Sequence, residues 1–231
     1  KSSPTWLNST LENSSGITTS DSGYNLGAGY LKDVGIIAVK NWASPDILRL
    51  YKSTDGGVNF TEYQVANFTS WAGQSGAYPD YDGGKFMVWG SVNGNSSCIS
   101  SSDGVTWGIS TTSGNIPSGN YRGFFPAVYN KHTSKFYTAE RSTSIGISTD
   151  GITWTTDTVS NTTYNVVVLD NGDMVGMHID GSDAKFTKYP RSGTTVDWSS
   201  PTGIATVGIA TNFTSITHST EVGLYGPYPQ Q

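Results

Sequence analysis

The heptapeptide SSDGVTW, Ser101 to Trp107, returns 47 residues later as STDGITW, Ser148 to Trp154. A third version, STDGGVNF from Ser53 to Phe60, carries one extra glycine and Phe in place of Trp. A degenerate fourth, RSGTTVDW, ends at Trp198. The terminal aromatics Phe60, Trp107, Trp154 and Trp198 are thus 47, 47 and 44 residues apart. A period of this length marks an array of supersecondary units, each burying its faces against its neighbours. Trp6, in SSPTW, extends the series if the two ends of the chain meet. Five units of roughly 46 residues then account for the chain.

Each unit reads as a four-stranded meander. In the third, FFPAVY (124–129) is apolar, KFYTAE (135–140) alternates, SIGIS (144–148) follows, and TWTTDTV comes after the Asp-Gly turn. The fourth runs YNVVVLD, a turn at Asn171-Gly172, MVGMHI, a DGSD turn, AKFTKY and DWSS. Asn-Gly and Asp-Gly supply the positive φ angles of tight hairpins. No useful length of helical periodicity occurs. Four strands about every 45 residues predict an all-β chain, a single five-bladed β-propeller. Its blades are expected at about 28–66, 77–112, 122–160 and 163–200. The fifth combines 205–231 with 1–10, closed by an N-terminal strand over Thr5–Thr10. A solenoid is the alternative, but it favours shorter repeats and distinct caps.

Composition narrows the function. Charged residues make up 13% of the chain and aromatics 12%; a disordered segment would lack those aromatics. The net charge of −5 argues against a nucleic-acid groove, which needs clustered Lys and Arg. No apolar run approaches the roughly 18 residues of a membrane-spanning helix, so no membrane insertion is expected. The lone Cys98 excludes an internal disulfide and reads as a small buried strand residue. His132, His178 and His218 are isolated from one another, and no metal or cofactor is expected.

The S-x-D-G-x-T-W pattern resembles the Asp-box, or BNR, repeat of sialidase-like propellers and of many secreted and phage proteins. Physically, the turn suits a structural role. Asp55, Asp103 and Asp150 can accept hydrogen bonds from their own turn, with Ser53, Ser101 and Ser148 beside them. Gly56, Gly57, Gly104 and Gly151 can take the unusual φ. Phe60, Trp107, Trp154 and Trp198 can pack between units. One Asp per turn is too few for calcium. The resemblance implies that the boxes lie on the face away from a ligand site.

The other face collects the connections between units and the second-to-third turns. The connecting stretches Leu11–Asp33, Ala66–Tyr81 and Thr111–Phe125 each contain a Ser-Gly-Tyr echo. Loops on a firm scaffold are where function concentrates. Trp71, Tyr78, Tyr81, Tyr121 and Arg122 are expected on this face, with Trp42, Arg141 and His178 in the shorter turns. Aromatics beside Asn, Asp and Ser suit sugars.

A sialidase-like site would imply an arginine triad. Of the four arginines, Arg49 and Arg191 lie near boxes, leaving Arg122 and Arg141. A two-carboxylate glycosidase could draw on Asp80, Glu140, Asp180 and Asp183, whose spacing marks no pair. The expectation is therefore a non-catalytic module outside the cell or on a virion surface. It resembles phage tail fibres, spikes or capsid decorations, which bind host-surface glycan or another virion protein. A secreted lectin is the alternative, a glycosidase with an atypical site the second.

Overall fold

A computed structural model describes residues 23–208 except 44–45, 57–58, 67, 94, 115–126, 140–141 and 181–182, together with 217–219 and 223–225. The architecture is all-β, with no helix among the described residues. The first meander is β1 (Gly23–Leu31), β2 (Gly35–Ala43), β3 (Asp46–Ser53) and β4 (Thr61–Ala66), hydrogen-bonded in that order. The second is β5 (Phe68–Tyr78), β6 (Lys85–Val92), β7 (Asn95–Ser101) and β8 (Gly108–Thr111). The short β9 (Ser113–Gly114) follows.

The next two units share one curled sheet. Its path is β10 (Val128–Asn130), β11 (Lys135–Ala139), β12 (Ser142–Ser148), β13 (Thr153–Val168), β14 (Met174–Asp180), β15 (Asp183–Tyr189) and, after the small hairpin β16 (Arg191–Ser192) and β17 (Thr195–Val196), β18 (Thr202–Gly208). The 16-residue β13 serves both units. Thr155–Thr158 pair with β12, and Asn165–Val168 pair with β14. Register shifts between Ser142 and Ser144 and between Thr163 and Asn165 mark the handover. A last hairpin joins β19 (Thr217–Ser219) to β20 (Gly223–Tyr225).

Packing explains the apolar strands. In β6, Phe86 and Val88 face the first meander, joining Leu31, Leu48 and Leu50 in one core. Met87 and Trp89 face the other way and join Phe136 and Trp154 of the third unit. A strand buried on both faces reads as a continuous apolar run, as KFMVWG does. The third unit repeats the arrangement: Phe136 faces back, while Tyr137 and Ala139 face forward onto Met174, Tyr189 and Trp198 of the fourth. The four units therefore stack face to face in chain order. Their first strands approach closely: a Cβ built on Gly29 of β1 would lie 2.6 Å from Ala77 Cβ of β5.

Two expectations need correction. DWSS is not the fourth unit's outer strand. Trp198 anchors a bend, and the strand that pairs with β15 is β18, beyond Ser200. The segment from 205 expected to open a fifth unit therefore belongs, as far as Gly208, to the fourth. In addition, Leu11–Asp33 and Ala66–Tyr81 are not loops throughout: β1 and β5 occupy much of them. The long connections read as loops, but at their strand positions Gly29 and Ala77 stand where the two first strands approach most closely. A closed ring of five is not seen in the described residues, and Trp6, Thr5–Thr10 and Gly57 lie outside them.

Candidate functional site

The box turns define one end of the molecule. Asp103 Oδ1 accepts from the N–H groups of Val105 and Thr106, both at 2.7 Å, and from Ser101 Oγ at 2.9 Å. Ser101 Oγ in turn accepts from Gly104 N at 2.8 Å. Asp150 repeats this with Ile152 N and Thr153 N at 2.7 Å and Ser148 Oγ at 2.9 Å. In the first box the extra glycine moves the donor on: Asn59 N and Nδ2 reach Asp55 at 2.9 and 2.7 Å. Each box joins the third strand of its unit to the fourth, so all lie at the same end.

These bonds tune acidity. The Val105 and Thr106 N–H groups, with the Ser101 hydroxyl, hold the Asp103 carboxyl far below its usual value. At Asp150, burial pushes the carboxyl up, but the bonds from Thr153, Ile152 and Ser148 outweigh it and the net shift is down. A depressed folded-state pKa contributes stability above the unfolded carboxylate value of about 4. That contribution disappears as pH falls below about 4 towards the folded value. Thermal melts from pH 7 downward should therefore show an acid-side loss that Asp150→Asn makes shallower, since Asn accepts the same N–H bonds without a charge. Equal acid slopes would remove the carboxylates from the account.

The far end was expected to carry the ligand residues. Tyr78 and Tyr81 are not there. Tyr78 closes β5 at the box end, 7% exposed, and its hydroxyl donates to Ala127 O at 2.6 Å. Tyr81 lies in the next turn and donates to Asp150 O at 3.2 Å, within a box. The reason is that the SGAY stretch is strand, which carries the chain back to the box end. Trp42 lies near the far end of β2 and Trp71 in the irregular part of β5; their side chains are outside the described residues. Tyr121, Arg122 and Arg141 also lie outside them.

His178, expected in a short turn, instead lies within a strand, in the half of β14 away from the box end. It sits in β14, 8% exposed, opposite Thr163 and Lys185 in register. It borders a cleft of ≈ 480 Å³ whose lining includes Asn161, Lys185, Thr187, Ile204 and Thr206. These positions form the outer half of the fourth unit and the handover point of β13. Ile204 reaches the cleft through a bulge: Ala205 pairs with Phe186 and Gly203 with Thr187, leaving Ile204 unmatched and 47% exposed. Bulges commonly re-aim a side chain in this way.

Sequence reasoning missed Asn161, Lys185, Thr187 and Thr206. The available signal was AKFTKY, whose alternate residues Lys185 and Thr187 make one strand face polar in an array that should bury both faces. Chemically, the cleft combines hydroxyls, an amide, an imidazole and an ammonium with an aliphatic ledge. Such a mixture orients a small hydroxylated ligand.

The groups weighed for catalysis are spread over both ends, except that Asp180 and Asp183 stand opposite each other in register where β14 turns into β15. Arg49 Nη1 pairs with Glu62 at 3.2 Å within the first unit. Arg191 Nε donates to Asn171 O at 3.0 Å, at the box end. Asp80 lies at that same end, 3.8 Å from Lys131. Asp183 begins β15 at the far end, and Glu140 lies outside the described residues. Compared with protein-family models and with curated proteins, the chain matches none.

Proposed function

We propose that the chain is a five-bladed β-propeller acting as a non-catalytic recognition module on a virion surface. Its likeness is to phage tail fibres, spikes and capsid decorations, and its ligand is a host-surface glycan. One observation supports this reading: four meanders stack face to face with every box turn at one end, and a cleft of mixed polar and apolar lining runs along the outer strands of the fourth unit beside His178. A ring of such units presents its ligand surface opposite its structural turns. The low charge and the abundance of Gly, Ser, Thr and Asn support the virion setting. No Asp or Glu is among the described residues lining the cleft, whereas a glycosidase places two carboxylates about the scissile bond.

A glycan-array screen of the whole chain is the direct test. Binding is expected, and Asn161→Ala and Ile204→Ala should each weaken it about tenfold, as removal of one modest interaction does. Both residues are exposed, so the fold should persist. Unchanged affinity in both variants would move the site off the cleft. No sugar binding, with a virion protein found covering the same face, would replace the glycan by a structural partner.

A further inference from the structure

The cleft beside His178 is built on one face of β14, β15 and β18. His178 pairs with Lys185 and Lys185 with Thr206, so these three form one row across the sheet. Gly176, Thr187 and Gly203 form the next row on the same face, because alternate residues of a strand share a face. Gly203 leaves the floor open: a Cβ built there would meet nothing within 4 Å. Beside it the bulge aims Ile204 into the cleft, 47% exposed, and Pro201 adds to the same lining.

Two features narrow what such a cleft takes. The first is that its apolar surface is small and aliphatic. Among the described residues no Tyr or Trp lines it, and the Phe186 ring packs in the core of the opposite face. A ledge of this kind covers a methyl group, not the broad face of a sugar ring. The second is that Lys185 does not make the cleft an anion site. Asp183 lies two residues before it on the same strand face, and opposite Asp180 in register. A carboxylate or phosphate on the ligand would meet that negative charge. The hydroxyls of Thr187 and Thr206 and the Asn161 amide supply donors and acceptors for hydroxyl groups.

We propose that the cleft selects a neutral sugar bearing a methyl group, with the methyl seated over Gly203 against Ile204. The methyl comes either from a 6-deoxyhexose or from the acetyl of an N-acetylhexosamine. The assignment rests on the glycan reading given above and names the class of sugar. Gly203 and Ile204 are its specificity-determining positions: one leaves the room, the other provides the contact.

Saturation-transfer NMR with the full chain tests this on three matched pairs of free sugars. These are L-fucose against L-galactose, L-rhamnose against L-mannose, and N-acetyl-D-glucosamine against D-glucose. A methyl-bearing member should bind about tenfold tighter than its partner, the lower end of what a single methylene is worth in an apolar pocket. Its methyl protons should receive the largest saturation. A preference in either of the first two pairs assigns the 6-deoxy class, and one in the third the acetamido class. Ile204→Ser should bring both members of the pair to the same affinity. Gly203→Val, which suits a strand, should fill the floor and abolish transfer. Ile109→Ser, at an exposed isoleucine on β8, should keep the preference. Equal affinities in every pair, saturation strongest at ring protons, or a preference that survives Ile204→Ser would each overturn the methyl seat. With Asn161→Ala still weakening binding on the array, the glycan reading would then stand without it. No transfer to any of the six sugars, with other glycans bound on the array, would likewise overturn the class alone. No sugar bound in either experiment would remove the class and the glycan reading together.

Discussion

Trp89→Ala should destabilise the protein by about 3–5 kcal/mol, the range for a fully buried tryptophan cut to alanine. Trp89 is 1% exposed and stands where the second unit meets the third. Tyr78, Phe136 and Trp154 meet its ring edge-on, with centroids 5.8, 6.0 and 6.4 Å away. Its Nε1 donates to Gly151 O at 2.7 Å, in the box of the next unit. The substitution therefore opens a cavity among aromatic side chains that cannot easily collapse, and it removes a bond between units. Trp154 Nε1, at 3.2 Å from the same carbonyl, keeps that oxygen partly satisfied, so the cavity is the larger loss. Ile109→Ala is the control: Ile109 is 52% exposed on β8, and its removal should change stability by no more than about 0.5 kcal/mol. Denaturant titration of both variants measures the difference. Equal midpoints would mean that the second and third units do not depend on their shared core.

The second large effect separates two glycines with the same backbone. Gly56 and Gly151 both have φ of 73°, a left-handed conformation that costs an L-residue about 1–2 kcal/mol. At Gly56 an added Cβ meets nothing within 4 Å, so Gly56→Ala should cost about that and no more. At Gly151 the Cβ would lie 2.6 Å from Met87 Cε and 3.2 Å from Trp89 Cζ2. Overpacking adds about 1–3 kcal/mol to the backbone strain, and Gly151→Ala should be the clearly worse variant. Adding Met87→Ala should recover part of the difference by making room, although it loses buried surface of its own. Matched destabilisation at the two glycines would show that the third box does not seat against the second unit.

The two substitutions divide what is local from what is not. The box turns were legible from Ser101–Trp107 and Ser148–Trp154 because every bond that shapes them closes within a few residues. Ser, Asp and Gly at given offsets suffice for that. The strands over Ser142–Ser148, Met174–Asp180 and Asp183–Tyr189 were legible for a related reason: alternation and Asn-Gly or Asp-Gly turns are properties of neighbouring residues. The placement of the residues expected on the far face was only partly legible. His178 lies at the cleft, but Tyr78 and Tyr81 lie at the box end, because a strand built of small residues has the composition of a loop.

By itself, then, the chain's sequence determined an all-β array of meanders, their period and the internal chemistry of each box turn, since these depend on interactions between near neighbours. Tertiary structure alone decided that β13 runs unbroken through two units, that β18 and not DWSS completes the fourth, and that a bulge at Ile204 opens a cleft beside Lys185 and Thr187. Each of these depends on which strand lies alongside which, and in what register. That choice is made by burial across residues far apart in the chain, where one strand's pattern carries no information about its partner.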